Sequence, residues 1–247
     1  VIDFVNKVYC CDNLDLLSKL QNNSINLIYC DILYGTGRNF GDYQDLKPIK
    51  SEIDNHYISR IKEMKRILKD SGSIYLQMDF RINHWVRLIL DDIFGYDNFR
   101  NEIIWHYNSA PRKKLDFGNR HDIIYRYSKT DNYTFNPIRE PYSLSAPRGY
   151  EKEKYYNPDG KVIGDVWNIN MLGQNDKIER VGYATQKPIA LIERIITASS
   201  NENDLVGDFY CGSGTTLVAA KKLKRNFIGC DLNPKAVEIS EKRLQKI

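Results

Sequence analysis

A chain of 247 residues with 42% apolar content is long enough to bury a sizeable core, as one domain or as one domain carrying an insertion. No run approaches the roughly eighteen apolar residues of a membrane-spanning helix, and the opening segment, with Asp3, lacks the pattern of a secretory signal, so a cytoplasmic protein with no membrane partner is expected. The net charge of +4 is too small to identify a nucleic-acid partner, and five cysteines without a CxxC pair argue against both a disulfide scaffold and a metal site.

Leu14, Leu17 and Leu20 recur at helical spacing within residues 13–21, with Asp12 or Asn13 placed to cap. Residues 25–30 read as a strand that ends at Asp31. Tyr57, Ile61, Met64 and Leu68 mark one face of a helix over residues 54–68, which Asp70, Ser71 and Gly72 should end. Strand-like residues 73–78, a helix over 85–93 and strand-like residues 102–105 follow. Helices alternating with short apolar strands imply an α/β fold, a doubly wound and mostly parallel sheet.

Just before the alternation ends, Arg112, Lys113, Lys114, Arg120, Arg126 and Lys129 are interspersed with Tyr107, Tyr125, Tyr127 and Tyr133. That composition suits phosphate neutralisation and base stacking, or equally a solvated loop flanking a strand. From Asn132 to Tyr183, Pro137, Pro141, Pro147 and Pro158, with Gly149 and Gly160, interrupt every regular pattern, while Tyr142, Tyr150, Tyr155 and Tyr156 add aromatic surface. An irregular insertion on the sheet rim accounts for this stretch. Regularity returns at Pro188, placed in the first turn of a helix whose buried face is Leu191, Ile192, Ile195 and Ile196. A strand over 205–209, a helix over 215–224, a strand over 226–230 and a helix from about Pro234 close the chain.

The segment Asp208-Phe209-Tyr210-Cys211-Gly212-Ser213-Gly214-Thr215-Thr216 follows an apolar strand and opens a helix, the setting of a nucleotide-binding glycine loop. Asp231 ends the next strand, about twenty residues on, where a carboxylate can accept hydrogen bonds from a ribose. The loop has no lysine for the outer phosphates of ATP, and Leu217 stands where a dinucleotide fingerprint has its third glycine. Asp208 would repel a pyrophosphate but suit the ammonium, or a water network, around a methionine moiety. S-adenosylmethionine is therefore the better fit; a plain strand-to-helix turn is the alternative.

At the end of the early strand stands Asp31-Ile32-Leu33-Tyr34, then Gly35-Thr36-Gly37. In a parallel sheet the carboxyl ends of strands face one crevice, so this turn and the Gly212 loop can lie side by side. Asp31 can accept a hydrogen bond from an amine on a planar substrate, and Tyr34 can cover its ring.

Together these motifs resemble the amino-group DNA methyltransferases of the beta arrangement, a restriction-modification family whose catalytic region precedes its cofactor region. Asp31 and Tyr34 match that family's Asp-Pro-Pro-Tyr, and Asp208, Gly212, Ser213, Gly214, Thr215 and Thr216 match its Asp-Pro-Phe-x-Gly-Ser-Gly-Thr-Thr. Tyr9-Cys10-Cys11-Asp12 resembles its opening segment, Thr185-Gln186-Lys187-Pro188 the segment before a helix near the methionine part of the cofactor, and residues 225–231 its ribose-binding strand. Segments 101–105 and 121–125 resemble its central strands. Ile32 and Leu33 replace both catalytic-turn prolines, and Phe209 and Tyr210 replace the loop's Pro-Phe. Losing each proline forfeits a preset φ worth about 0.4–1 kcal/mol.

The resemblance implies a Rossmann-like methyltransferase with a catalytic half over residues 1–131, a target-recognition insertion over 132–183 and a cofactor-binding half over 184–247. It implies that Asp31, the carbonyl of Ile32 and Tyr34 act on a flipped-out base. It further implies that Asp12, Lys187, Asp208, Tyr210, Cys211, Gly212, Ser213, Gly214, Thr215 and Asp231 hold S-adenosylmethionine, with no metal. Duplex DNA, a cognate restriction endonuclease and a second copy of the chain are the expected partners. Aspartate at position 31 tilts the target to adenine N6 over cytosine N4. Arg139 and Arg148 are candidates for base edges, and Arg112, Lys113, Lys114 and Lys129 for phosphates. Asn39, Phe40 and Tyr43 could form a flap over the base, whereas His56, His84, His106 and His121 read as structural or surface residues. Competing readings are an RNA or small-molecule amine methyltransferase, a catalytically silent nucleic-acid-binding module and, more distantly, a nicotinamide oxidoreductase; nucleoside analysis after incubation with labelled cofactor separates them.

Overall fold

Strands covered on both faces organise the molecule, and this explains why their sequences are nearly continuous in apolar residues. The computed structural model describes residues 4–40, 44–108, 115–142, 154, 156–173 and 176–247. In chain order the elements are β1 (Lys7–Cys10), α1 (Asn13–Leu17), β2 (Ile25–Asp31), α2 (Lys50–Ile67), β3 (Leu68–Met78), α3 (Asn83–Phe94), β4 (Phe99–His106) and β5 (His121–Ser128). After these come β6 (Arg139–Glu140), β7 (Lys161–Val162), β8 (Val166–Asn168), α4 (Ile189–Ser199), β9 (Leu205–Asp208), α5 (Thr215–Lys222), β10 (Asn226–Asp231) and α6 (Pro234–Leu244).

Eight strands form one sheet in the order β1-β10-β9-β2-β3-β5-β4-β8. Five of its seven pairings are parallel, and only β5 runs antiparallel to its neighbours β3 and β4, so the expected α/β doubly wound, mostly parallel sheet is what forms. Alternation along β2 sends Ile28 and Cys30 into a core with α1, α2 and α3, and Leu27 and Tyr29 into a second core with α4 and α5. From β2 the chain builds outward through β3, whereas β9 and β10 build outward the other way. The crevice that such a reversal opens lies where β2 and β9 pair, at their carboxyl ends.

Several elements depart from the sequence reading. Helix α2 stops at Ile67 and Leu68 opens β3 at once, with φ −66° and ψ 136°, so Asp70, Ser71 and Gly72 lie inside a strand instead of ending a helix. Pro188 is the N-cap of α4, one residue before the first turn. Within the irregular stretch, β6 and β7 form a separate two-stranded ribbon, while β8 returns to the main sheet beside β4 and buries Trp167.

The largest correction concerns Tyr125, Arg126, Tyr127 and Lys129. They cannot present a phosphate- and base-binding face, because β5 lies inside the sheet and is covered on both sides. Arg126 is 3% exposed, with the Tyr75, Tyr133 and Phe135 rings at 5.8, 5.0 and 4.4 Å from its guanidinium carbon. Because β5 runs antiparallel, Lys129 emerges at the end of the sheet away from the crevice, where it donates to the Leu68 carbonyl and pairs with Asp70. Arg139 donates to the Gly160 carbonyl inside the small ribbon. Tyr43, Arg112, Lys113, Lys114, Arg148, Tyr150 and Tyr155 lie outside the described residues. Among the described residues, no helix is long and apolar enough to cross a membrane, and no cluster of His, Cys, Asp or Glu could hold a metal ion.

Candidate active site

The carboxyl end of β2 delivers Asp31 into the crevice, and the turn after it is fixed by tertiary hydrogen bonds where the family resemblance would have prolines. Ile32 keeps an N–H and donates it to the Gln77 carbonyl at 3.1 Å, while the Tyr57 hydroxyl donates to the Leu33 carbonyl at 2.8 Å. Asp45, buried, then gathers the backbone N–H groups of Gly35, Thr36 and Leu46 at 3.1, 2.8 and 2.9 Å. Pairing these groups replaces, through contacts distant in sequence, the restriction that two prolines would impose locally.

Both oxygens of Asp31 have partners. The Tyr34 hydroxyl lies 2.7 Å from Oδ1, and the Lys187 ammonium donates to Oδ2. Burial pushes the Asp31 carboxyl above the usual carboxylate range, and the Lys187 charge works against that push. The Tyr34 phenol, itself raised well above its ordinary value by burial and the neighbouring carboxylates, also touches Asp122.

On the adjacent strand β9, Asp208 starts the glycine loop. Its buried carboxylate accepts the Tyr210 N–H at 3.1 Å and the Thr216 hydroxyl, which ties the two ends of the loop together. Burial raises its pKa to about 7. Asp231, at the end of β10, accepts the Gly212 N–H at 2.9 Å through Oδ2 and the Asn233 N–H at 2.9 Å through Oδ1, and burial raises its carboxyl as well. Arg243 of α6 braces the loop from behind, donating to the Ser213 carbonyl at 2.7 Å and the Thr215 hydroxyl at 3.0 Å.

These two turns line one cavity of about 610 Å³, a volume suited to a cofactor-sized ligand. Asp12, Asp31, Ile32, Tyr34, Lys187, Asp208, Tyr210, Cys211, Gly212, Ser213, Thr215 and Asp231 all face it, which brings together every site residue expected from the sequence except Gly214. Gly214 turns away: its φ is +75°, and an added Cβ would lie 2.5 Å from Ser240 Oγ of α6. Lys187 reaches the catalytic turn through Asp31.

Sequence reading missed Arg60 and His56 on α2. Arg60 pairs with Asp12 at 2.9 Å and donates to Asn13 Oδ1 at 2.6 Å, forming one wall. His56, expected to be structural, lines the cavity with Nε2 3.0 Å from the Tyr210 hydroxyl, and burial followed by the nearby Arg60 lowers its pKa to about 4. Their only sequence signal was a polar position one or two turns along a helix from buried Ile53 and Tyr57. Phe40 of the expected flap also lines the cavity.

S-adenosylmethionine fits this lining. Gly212 exposes bare backbone where a side chain would crowd the Tyr183 ring, which an added Cβ would approach to 3.2 Å, so the loop can come close to a ligand. Asp12, Asp31, Asp45, Asp208 and Asp231 outnumber the lining cations Arg60 and Lys187, which leaves an acidic lining that favours a sulfonium over a polyphosphate.

Fold and site together define a Rossmann-like, S-adenosylmethionine-dependent methyltransferase. A family model described as DNA methylase, covering N6 and N4 methyltransferases, matches residues 25–242. The type II methyltransferase M.HpaI of Haemophilus parainfluenzae is 33% identical over 96% of this chain and 74% of its own length. DNA adenine methyltransferase YhdJ of Escherichia coli K12 is 31% identical over 94% of this chain and 80% of its own. Among solved structures, the cytosine-N4-specific PvuII DNA methyltransferase superposes with a TM-score of 0.71 at 17% identity, covering 96% of this chain and 85% of that one. The chain belongs to the N6/N4 DNA methylase family, in its beta arrangement, with the catalytic turn ahead of the cofactor loop.

Proposed function

We propose that the protein methylates the exocyclic N6 amine of an adenine flipped out of duplex DNA. The observation that carries this reading is the approach of Asp31 and Tyr34 to the Asp208–Thr216 loop across a single cavity. S-adenosylmethionine, when bound, supplies an electrophilic methyl group on a positively charged sulfur. Asp231 would accept hydrogen bonds from its ribose, while the Gly212 backbone and the Asp208-braced loop would hold the remainder. Asp31 would accept an N–H of the base amine, and the Ile32 carbonyl the other, which concentrates the nitrogen lone pair for attack. As the nitrogen bonds to the methyl carbon, that carbon's bond to sulfur would break with its electron pair left on a neutral thioether, and the amine would release one proton. Burial that raises the Asp31 carboxyl makes it a suitable acceptor for that proton. The Tyr34 ring would stack on the base.

Adenine is favoured by aspartate at position 31 and by the kinship with a relative named as an adenine methyltransferase. Cytosine N4 is the second reading, favoured by the superposition on a cytosine-N4-specific enzyme. A recognition role for residues 132–183, a cognate restriction endonuclease, in keeping with the type II relative, and a homodimer complete the proposal. Incubating unmethylated genomic DNA with methyl-labelled cofactor, then analysing nucleosides, should yield N6-methyladenine; N4-methylcytosine would overturn the base assignment. Asp31→Ala should abolish transfer while retaining cofactor binding, and transfer at the native rate would overturn its role.

A further inference from the structure

Tyr34 has one hydroxyl proton and two carboxylates beside it. Its Oη lies 2.7 Å from Asp31 Oδ1 and 2.7 Å from Asp122 Oδ2. One proton cannot serve both at once, so the direction in which the phenol donates decides how many lone pairs Asp31 keeps for a substrate amine. The surroundings settle that direction. Asp31 already faces a cation, the Lys187 ammonium. Asp122 is 5% exposed and, among the described residues, forms no ion pair; its hydrogen-bond donors are uncharged, the Gln77 amide at 2.9 Å, the Tyr107 hydroxyl at 3.0 Å and the Tyr34 hydroxyl. A buried carboxylate without a counter-ion holds its hydrogen-bond donors strongly, because each compensates lost hydration. Gln77 Nε2 also reaches Tyr34 Oη at 3.1 Å, and its own Oε1 accepts the Tyr29 hydroxyl at 2.7 Å, so the phenol is approached from a fixed side.

We propose that Asp122 is a positioning residue that draws the Tyr34 proton away from Asp31, holding the Tyr34 ring in place and leaving an Asp31 oxygen free to accept the substrate amine. Neither Asp122 nor Gln77 faces the cavity; both act from the sheet interior, Asp122 on β5 and Gln77 on β3. Register places them within reach, since Gln77 pairs with Ile124 and Asp31 pairs with Gln77. This inference rests on the catalytic reading of Asp31.

The test is a double-mutant cycle on methyl transfer, with Asp122→Asn and Tyr34→Phe. The Gln77 amide donates to the same Asp122 oxygen as the phenol, so an asparagine presents its carbonyl there; that uncharged acceptor competes poorly with the Asp31 carboxylate, which sends the Tyr34 proton to Asp31. Asp122→Asn should lower kcat by about tenfold, as expected when one hydrogen bond is misdirected, and leave the cofactor Kd unchanged. Its acid limb in the kcat–pH profile should move to lower pH, because Asp31 gains a donor. In a Tyr34→Phe background the same substitution should produce neither the loss nor the shift. An equal loss in both backgrounds, or no shift of the limb, overturns the proposal. Tyr34→Phe alone keeps it testable should Asp122→Asn fail to fold: a native kcat would mean that the hydroxyl chain is idle, which also overturns it. Inactivity of Asp31→Ala tests the catalytic reading separately, so failure of one is distinguishable from failure of the other.

Discussion

Lys187 places its ammonium on Asp31, 5.3 Å from the centroid of the Tyr34 ring, so a single cation from the segment before α4 touches both residues of the proposed catalytic turn. The ammonium thus occupies one oxygen of that carboxylate, Oδ2, and not Oδ1. Lys187 also offsets the effect of burial on Asp31. Removing the charge in Lys187→Met should therefore raise the Asp31 pKa further, and the acid limb of the kcat–pH profile should move to higher pH. Transfer should fall most in acidic buffer and recover as the pH is raised. Superimposable profiles for variant and native protein would exclude this linkage.

Asp231 joins the glycine loop to the end of β10 through the Gly212 N–H and faces the cavity with the same side chain. Asp231→Ala removes a charged acceptor from the loop and from the proposed ribose site. Hydrogen bonds to charged groups are worth about 1.5–3 kcal/mol, so affinity for S-adenosylmethionine should weaken by roughly ten- to a hundredfold. Calorimetry returning the native Kd would rule out the ribose assignment.

Legibility in the sequence followed sequence distance. Asp31, Tyr34 and the Asp208–Thr216 loop were readable because each is a compact motif at a strand end, and strand ends meet in a parallel sheet. Asp122, Gln77, Asp45 and Arg60 were not, because their roles depend on the register of β3 against β5 and on where α2 crosses the crevice. A one-residue slip of β5 would turn Asp122 away from Tyr34. Arg126 misled for the complementary reason: a cation between tyrosines reads as nucleic-acid surface unless the strand is known to be covered on both faces. Edge strands β1 and β8, four and three residues long, carry too short a pattern to be recognised.

Gly214 was expected to hold cofactor, yet its environment is α6. A side chain there must both adopt φ +75° and displace Ser240, whose Oγ and Cβ would be 2.5 and 2.7 Å from it. Strain and overpacking each cost about 1–3 kcal/mol, so Gly214→Ala should lower stability in urea by at least that amount. Adding Ser240→Gly removes the two closest contacts but leaves the α6 backbone Cα at 3.1 Å and the left-handed φ, and it deletes the Ser240 hydrogen bond to the Gly212 carbonyl, so it should not restore native stability. Full stability of Gly214→Ala would show that α6 yields freely.

His56 and Asp208 give the cavity two pH-dependent contributions of opposite sign. His56 titrates near 4 when folded and at its ordinary 6.5 when unfolded, so its contribution is present above 6.5 and is lost as pH falls through 4. For Asp208 the folded pKa of about 7 exceeds the ordinary 3.8, so its contribution is present below 3.8 and is lost as pH rises through 7. Across the shared window, the unfolded chain binds the histidine proton more readily while the folded chain binds the aspartate proton more readily. The two slopes oppose each other. His56→Gln retains a polar partner for the Tyr210 hydroxyl and removes the rising slope alone. Urea stability of that variant should then fall more steeply than that of the native protein as pH rises between the two His56 values. Parallel curves would mean that His56 is equally able to take up its proton in the folded chain, and that burial and the neighbouring Arg60 do not hold it neutral.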